Sequence, residues 1–213
     1  GYDCYSTYTS SPHDQFAHIF VNDVVSKRNY FNYSSITRCG GQNPSARVTI
    51  RLINGKICCP SVNISNNRCN FFSGIYSTPF GDPNTVTFSL SYSTFADNNA
   101  YDYSCIYLNR EGAKYEIKSC NILRNTQVSS SYGIISTWGN LNIEDSCILG
   151  NSATNIFYSS SSSYPITLTR CIVDNKSNNG YLTIQSAATK SFILGLNHMS
   201  TLYCHSEYDS VGY

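Results

Sequence analysis

A repeat of about 25 residues is the feature that most restricts how this chain can fold. Three copies, at 115–125, 141–151 and 166–175, each begin with alternating apolar and polar residues, continue through a cysteine and end on an asparagine. A repeat of this length is typical of solenoids, in which no single unit can bury its apolar side chains and stacked units share one core. The sequence therefore predicts a stack of coils.

Each coil is predicted to contain three short strands. The alternating start of every copy indicates a half-buried strand, because every second side chain faces inward. Residues 62–64, 86–88 and 192–194 show the same alternation and are predicted to open further coils. A second strand follows each asparagine, and a third apolar element lies between the cysteine and the asparagine. The resulting fold class is all-β, a single-stranded right-handed parallel β-helix.

The first part of the chain does not match the repeat, although it includes the apolar run 16–21. The end of a solenoid exposes unpaired strand edges and an open core, so it needs a cap. We therefore interpret residues 1–45 as an N-terminal cap or a degenerate first coil. Residues 46–213 are interpreted as the coils of one continuous domain.

Ten cysteines are many for a cytosolic protein, yet they lack the paired spacing of zinc ligands, and no cofactor motif is present. The sequence therefore predicts neither a metal site nor a cofactor. Some disulfides in an oxidising compartment are predicted among the first six: Cys4, Cys39, Cys58, Cys59, Cys69 and Cys105. Three later cysteines, Cys120, Cys147 and Cys171, recur at one position of the repeat and are predicted to stack as small buried thiols. A bridge between neighbours is the alternative, although three cysteines cannot all pair among themselves.

The recurring asparagines, Asn125, Asn151 and Asn175, are predicted to be structural. Asparagine tolerates the left-handed conformation of a sharp bend and can hydrogen-bond nearby backbone. Stacked amides could also bond to one another along the coils. Ligand binding by these asparagines is the functional alternative.

Sequons at Asn32, Asn63 and Asn175 permit N-glycosylation. Asn63 alternates with apolar neighbours and is expected to point outward, and Asn32 is the second candidate. The sequon at Asn175 conflicts with the ladder, since an inward rung cannot carry a glycan.

Charged residues make up only 13% of the chain, and the formal net charge is +1. This balance argues against a nucleic-acid surface and against a polybasic membrane patch. No apolar run reaches the roughly 18 residues that span a bilayer, so membrane attachment is expected only through an anchor outside this segment. The chain has neither an initiator methionine nor a signal-peptide pattern, and we interpret it as a processed segment.

Acidic residues are few, and Glu144-Asp145 is the single adjacent pair. Glu144 aligns with Lys118 one coil earlier, which predicts a charge contact between coils rather than a catalytic acid. No residue is predicted to be catalytic. Many parallel β-helices are polysaccharide lyases or hydrolases, and these need converging carboxylates. The candidates for such a cluster lie in separate loops: Asp82, Asp97 and Asp102.

Aromatic side chains near the turns between strands are the strongest candidates for binding. Exposed rings offer apolar faces with polar tips, and Trp138, beside a glycine, is the leading single residue. Packing within a column of stacked aromatics is the structural alternative. The candidate binding residues are Tyr103, Tyr107, Tyr132, Trp138 and Tyr158.

Residues 115–209 resemble a known family. The motifs are Ile-Lys-Ser-Cys120, the run from Trp138 to Cys147, and the closing pair Asn-His-Met-Ser200 and Cys-His-Ser-Glu-Tyr-Asp209. They are similar to the large right-handed β-helix surface proteins of trichomonad parasites, which are similar in style to the polymorphic membrane proteins of bacteria. The resemblance implies an extracellular domain that takes part in attachment to host cells, and it supplies no catalytic residues.

Three functions follow from these expectations. The favoured one is an extracellular adhesion module on the cell surface, which recognises a host glycan or surface protein through loop and aromatic side chains. The second is a carbohydrate-active enzyme of the β-helix class, a lyase or glycoside hydrolase. The third is a structural spacer. The sequence does not indicate an oligomeric state.

Overall fold

The computed structural model describes residues 15–20 as backbone, and 28–39, 48–129, 132–188 and 194–196 in full. These residues form 22 strands and no helix, and the strands pair in parallel throughout. The prediction of an all-β parallel solenoid is therefore confirmed. Strands are numbered in chain order and grouped below by the face of the solenoid on which they lie.

The chain visits three faces in turn, and a fourth, very short one closes some coils. Face 1 contains β1 (Gln15–Phe20), β4 (Val48–Ile53), β8 (Phe72–Thr78), β12 (Ile106–Leu108), β16 (Ile135–Thr137), β19 (Phe157–Ser159) and β21 (Asn178–Asn179). Face 2 contains β2 (Arg28–Tyr30), β5 (Lys56–Pro60), β9 (Val86–Ser91), β13 (Lys114–Lys118), β17 (Asn140–Glu144), the first half of β20 (Ile166–Val173) and β22 (Leu182–Ala187). Face 3 contains β3 (Ser35–Thr37), β6 (Asn63–Ser65), β10 (Thr94–Ala96), β14 (Asn121–Leu123), β18 (Cys147–Leu149) and the second half of β20. Face 4 contains β7 (Arg68–Cys69), β11 (Asn99–Ala100) and β15 (Thr126–Gln127).

Within the region interpreted as a cap, the described residues contribute strands to the stack. β1, β2 and β3 pair in parallel with β4, β5 and β6 of the next coil. The described strands of this region thus lie on the same three faces as the strands of the later coils.

The core consists of columns of inward side chains, because parallel pairing sets equivalent residues of successive coils side by side. On face 3 the middle residue of each strand faces inward: Ile36, Ile64, Phe95, Ile122 and Ile148. These residues are at most 3% exposed. A fully buried side chain of this size contributes roughly 1.5–3 kcal/mol relative to an exposed one, and no coil could bury its column without its neighbours.

Two sharp corners in each coil use the left-handed backbone region. Between faces 2 and 3 the φ angle lies between 47° and 56° at Tyr33, Ser61, Tyr92, Ser119, Asp145 and Arg170. Between face 3 and the next segment it lies between 51° and 67° at Arg38, Asn66, Asp97, Arg124 and Gly150. Since most of these residues are not glycine, each corner costs about 1–2 kcal/mol. The stacked hydrogen bonds of neighbouring coils hold the corners in place.

Two of the predicted coil starts are not equivalent. Ile64 pairs with Phe95 and lies on face 3, whereas Phe88 pairs with Ile57 and lies on face 2. Short apolar-polar-apolar segments from different faces look alike in sequence, because the same alternation serves both. The third predicted start, 192–194, lies outside the described residues except for Leu194, which contacts face 3 from outside.

The predicted cysteine stack is wrong at one position. Cys120 and Cys171 share the corner column that also contains Ser146, whose Oγ accepts the N–H of Cys120 at 3.1 Å. Cys147 instead pairs with Asn121, one position further along. The coil of Cys147 has one more residue between its face 2 strand and its cysteine, which moves this thiol to the outer side of face 3.

The prediction of disulfides is wrong for Cys58, Cys59, Cys69 and Cys105, which are free thiols. Cys120, Cys147 and Cys171 are also free thiols. Cys4 lies outside the described residues, and Cys39 is buried with its N–H bonded to Asn67. Burial raises the pKa of Cys69 and of Cys105 to about 12. A protonated, inaccessible thiol is unreactive, so these cysteines act as small core residues.

Candidate functional site

The recurring asparagines form a hydrogen-bonded ladder inside the solenoid. The Nδ2 group of Asn67 donates to the Oδ1 atom of Asn98, Asn98 donates to Asn125, and Asn125 donates to Asn151, each at 3.0 Å. Each accepting Oδ1 also receives the backbone N–H of the previous asparagine at 2.9–3.1 Å. All four side chains are buried. Their hydrogen-bonding groups serve the bend, which leaves them closed to a ligand.

Asn175 is not a rung of this ladder, contrary to the sequence prediction. It is exposed, and its Oδ1 accepts the N–H of Ser177 at 2.9 Å. The other rungs follow a residue with positive φ, but Asp174 does not have this conformation. Its carboxylate instead accepts the N–H of Gly150 at 2.6 Å. Without the left-handed bend, the next side chain is not turned inward.

The predicted glycosylation sites have different accessibilities. Asn32 is exposed, as a glycan acceptor must be. Asn63 points away from the core as predicted, but it is only 1% exposed. A glycan could not occupy this position in the folded chain, and the expectation for Asn63 is therefore wrong. Asn175 is exposed and outside the ladder, so its position does not prevent it from carrying a glycan.

All five aromatic residues proposed from the sequence lie together on the outer side of face 1. The rings of Tyr103 and Tyr132 stack with centroids 4.9 Å apart. Tyr132 meets Tyr158 at 4.8 Å and Tyr107 at 6.0 Å, both edge to face. The Nε1 group of Trp138 donates to the Oη atom of Tyr107 at 3.0 Å. The five residues thus form one continuous surface across several coils.

Three further rings extend this surface and were not proposed from the sequence. Phe72 lies within 5.0 Å of Tyr103, within 4.9 Å of Tyr76 and within 4.8 Å of Tyr107, measured between centroids. Phe71 packs against Tyr103 at 5.2 Å. Their signal was present in the sequence, since the run Phe-Phe-Ser-Gly-Ile-Tyr76 precedes the coil of Tyr103 and Tyr107 at the same repeat position. We call the eight side chains the aromatic face: Phe71, Phe72, Tyr76, Tyr103, Tyr107, Tyr132, Trp138 and Tyr158.

Strand register explains why the aromatic face is continuous. The outer residues of face 1 pair in the order Arg51, Tyr76, Tyr107, Ser136 and Tyr158. Parallel strands are about 4.8 Å apart, which is the distance at which rings pack. Tyr76 and Tyr107 are nearly parallel, at 12° and 5.6 Å, and the guanidinium of Arg51 lies 5.2 Å from the centre of the Tyr76 ring. A cation at this distance is attracted by the ring.

The aromatic face is half-buried rather than freely exposed. Tyr107 is 6% exposed, and its neighbours in the face are of intermediate exposure. Burial raises the pKa of the Tyr107 phenol, and burial also raises that of Tyr158. The hydroxyls therefore remain protonated at neutral pH, and each can both donate and accept a hydrogen bond.

A shallow groove borders the aromatic face at Trp138. Its volume is about 540 Å³, and it is lined by Thr78, Asn109, Arg110, Glu111 and Trp138. The Nδ2 group of Asn109 donates to the Oη atom of Tyr76 at 2.9 Å, which joins the groove to the aromatic face. One cation, one carboxylate and one amide therefore lie beside a continuous apolar surface.

The acidic residues do not form a catalytic cluster among the described residues. The predicted contact between coils is confirmed, with Lys118 Nζ 3.4 Å from Glu144 Oε2. Of the loop acids, Asp97 pairs with Arg124 at 3.0 Å, Asp82 caps a turn through its carboxylate, and Asp102 follows face 4. These three acids stand at different corners of a coil. Within the described part of the chain, no three histidine, cysteine or acidic side chains are placed to hold a metal ion.

The described residues contain no helix that is long and apolar enough to cross a membrane. Comparisons with protein-family models, with curated proteins and with solved structures find no match for this chain. The function is therefore inferred from the geometry of the aromatic face.

Proposed function

We propose that this chain is a binding module of the adhesion type, which holds a protein partner on the aromatic face and the adjoining groove. The observation that carries the proposal is the continuity of eight aromatic side chains on one side of a rigid stack. Tyrosine, tryptophan and arginine are the residues that most often dominate binding energy at protein interfaces. Arg51 at one end and Arg110 in the groove complete this combination.

The geometry of the rings favours a protein over a glycan. Tyr76 lies parallel to Tyr107, and Tyr103 lies nearly parallel to Tyr132. In these pairs the flat faces are used for packing between coils, so edges and hydroxyls are what a partner meets. Sugar rings stack on open aromatic faces, whereas a protein surface can use ring edges together with hydroxyl hydrogen bonds.

The two competing functions have less support. An enzyme of the β-helix class would require converging carboxylates, and Asp82, Asp97 and Asp102 stand at separate corners. A spacer would have no use for a large aromatic surface, since contiguous apolar patches on soluble proteins are frequently interaction sites.

We place the module outside the cell, on the surface of a trichomonad-type parasite, as the family resemblance implies. The buried free thiols Cys69 and Cys105 are consistent with this location, because burial raises their pKa and oxidation proceeds through the accessible thiolate. Cys105, for example, is 1% exposed.

The test is retention of the purified chain on an array of host-surface proteins, matrix proteins and glycans, with released reducing ends measured in the same wells. We expect retention on proteins without release of sugar ends. Trp138→Ala and Tyr132→Ala should each lower retention at least tenfold, since truncation of an interface hot spot costs about 2 kcal/mol or more. Tyr92→Ala is the matched control, because Tyr92 is 54% exposed and lies at a corner away from face 1.

Each other outcome contradicts the proposal in a different way. Retention on glycans alone would show that the partner is a carbohydrate. Release of reducing ends would show an enzyme, and silence in both measurements would favour the spacer. Equal loss of retention in Tyr92→Ala would show that the aromatic face is not the binding surface.

A further inference from the structure

Two arginines lie beside the aromatic face without an acidic partner. Arg51 and Arg110 form no ion pair with any residue that the structure describes. Arg124, at the corner after face 3, shows the contrasting case, because its guanidinium donates two hydrogen bonds to the carboxylate of Asp97, each at 3.0 Å. The aromatic face is therefore bordered by positive charge that the described chain does not pair.

The guanidinium of Arg110 is positioned at the groove by its neighbours. Its Cζ atom lies 4.9 Å from the centre of the Phe80 ring, a distance at which a cation is attracted by the ring. The backbone below it is fixed, because the oxygen of Arg110 accepts the Tyr115 hydroxyl at 3.0 Å and the N–H of Ala113 at 3.3 Å. A guanidinium carries five N–H donors in a planar fork, and those of Arg110 bond to no described residue. Arg110 thus offers prepositioned donors to a ligand in the groove.

The guanidinium of Arg51, at the other end of the aromatic face, contains a buried nitrogen that lacks a partner. Its Nε atom forms no hydrogen bond with the described residues, and its Cζ atom lies 5.2 Å from the centre of the Tyr76 ring. Buried polar groups normally have a partner, and an unsatisfied one is costlier when the group is charged. Because the charge of a guanidinium is delocalised over its nitrogens, an ionised oxygen brought against Arg51 would compensate it.

The one carboxylate that lines the groove does not neutralise Arg110. Glu111 follows Arg110 directly in sequence, yet its Oε1 atom accepts the hydroxyl of Tyr164 at 3.3 Å. The side chains of Arg110 and Glu111 are both exposed, so a carboxylate from outside can reach Arg110. Glu111 repels that carboxylate, and removal of its charge should therefore tighten binding.

We propose that the partner held on the aromatic face is an acidic polypeptide segment, whose carboxylates bind Arg110 in the groove and Arg51 at the far end. This inference rests on the proposed function and names the chemistry of the partner. Arginine suits the role because its planar fork matches a carboxylate with two hydrogen bonds. Arg51 pairs with Tyr76 and Tyr76 with Tyr107, so the two arginines lie two coils apart, roughly 10 Å along the stack. Arg110 is three residues beyond Tyr107, about 10 Å along the strand, so an extended segment with acids about four residues apart reaches both arginines.

The experiment measures the Kd of the purified chain for three tethered polymers: a copolymer of glutamate and tyrosine, a copolymer of lysine and tyrosine, and polygalacturonate. We expect binding to the glutamate copolymer alone, and weaker binding as salt screens the exposed charges. Arg110→Gln and Arg51→Gln should each raise the Kd roughly tenfold or more, the effect of losing hydrogen bonds to a charged group. Glu111→Gln should lower the Kd. Arg124→Gln is the matched control, since it removes the same charge from an arginine that Asp97 already pairs.

Trp138→Ala separates this inference from the proposed function. If Trp138→Ala lowers retention on host proteins but the variants of Arg110 and Arg51 do not, the aromatic face remains the binding surface and the acidic partner is overturned. If none of these variants changes retention, the proposed function fails and the inference fails with it. Binding to polygalacturonate as tight as to the glutamate copolymer would overturn the polypeptide in favour of an acidic glycan. An equal loss in Arg124→Gln, or no binding to the glutamate copolymer, would overturn the assignment of the two arginines.

Discussion

Replacing Asn125 with alanine should destabilise the solenoid far more than the same change at Asn175. Both asparagines end a copy of the repeat, so their sequence contexts are similar. Asn125 is 0% exposed and sits within the ladder, whereas Asn175 is exposed and bonded only within its own turn. The pair therefore separates the effect of the ladder from that of the residue type.

The magnitude follows from the groups that Asn125→Ala would leave without partners. The backbone N–H and one side-chain N–H of Asn98 would lose their acceptor, at 3.1 and 3.0 Å. Phe95 O and Asn151 Oδ1 would each lose one donor. An unsatisfied buried group costs about 1–3 kcal/mol, so the two N–H groups and the weakened acceptors together predict a loss of about 3 kcal/mol or more. Asn175→Ala should change stability by less than about 0.5 kcal/mol, as is usual for an exposed site.

The assay is urea unfolding of the two variants and the parent chain, followed by far-UV circular dichroism and by tyrosine fluorescence. Coincident transitions are required, because repeat arrays can lose two-state behaviour. The shift in midpoint multiplied by the slope then gives the change in free energy of unfolding. If Asn125→Ala falls within about 1 kcal/mol of Asn175→Ala, the ladder contributes little to stability and the reasoning is refuted.

Three further predictions concern other parts of the stack. The Arg170 guanidinium beside Asp145 lowers the pKa of that carboxyl, so Asp145→Asn should slightly destabilise the chain at neutral pH and at low salt. That difference should vanish as pH falls through the lowered pKa, which pH-dependent urea midpoints would show. Gly139→Ala should lower the unfolding midpoint strongly, because its Cβ would overlap a backbone oxygen of the previous coil; an unchanged midpoint would contradict this packing. In the native chain, Cys58 should react with a thiol reagent while Cys59, fully buried with its pKa raised by burial, stays unmodified; equal rates would show that the core is open.

The fold was predictable because solenoids repeat their chemistry. Alternation in the copies that contain Ile117, Ile143 and Leu168 reappears as the paired register of β13, β17 and β20. The contact between Lys118 and Glu144 followed from the same alignment. Parallel stacking converts a repeat in sequence directly into a column in space, so the pattern carries long-range information that most sequences lack.

Register errors occurred where the number of residues between landmarks changed. The repeated cysteine aligns Cys147 with Cys120 in sequence, yet one extra residue in the coil of Cys147 places Ser146 in that column. The repeat pattern predicts that Asn175 is a rung, but Asp174 lacks the left-handed φ that the rung needs. Backbone conformation at a single corner decides these cases, and composition does not reveal it.

The sequence indicates part of the aromatic face, but it does not indicate that the outward residues of face 3 are buried. The positions of Tyr103, Tyr107 and Tyr132 near turns indicate a binding role, because exposed tyrosines are frequent at interfaces. The contact of Asn121 with Leu194 on the outer side of face 3 could not be predicted, because it joins residues 73 positions apart in sequence. Asn63 is an example: its alternation correctly predicts that it points outward, yet it is only 1% exposed.

The three long faces differ in what they can offer a partner, and this difference supports face 1. Outward residues of face 2 such as Ser89, Glu116 and Asn142 are small or polar, and the outward residues of face 3 are buried. On face 1, the outward residue between Tyr107 and Tyr158 in register is a serine. The ring of Tyr132 packs against both tyrosines at this coil, so the aromatic face has no gap. Because these rings hold one another, docking a partner would immobilise few additional side chains. Ordering a side chain on binding costs about 0.5–1.5 kcal/mol, and a preformed aromatic face avoids most of that cost.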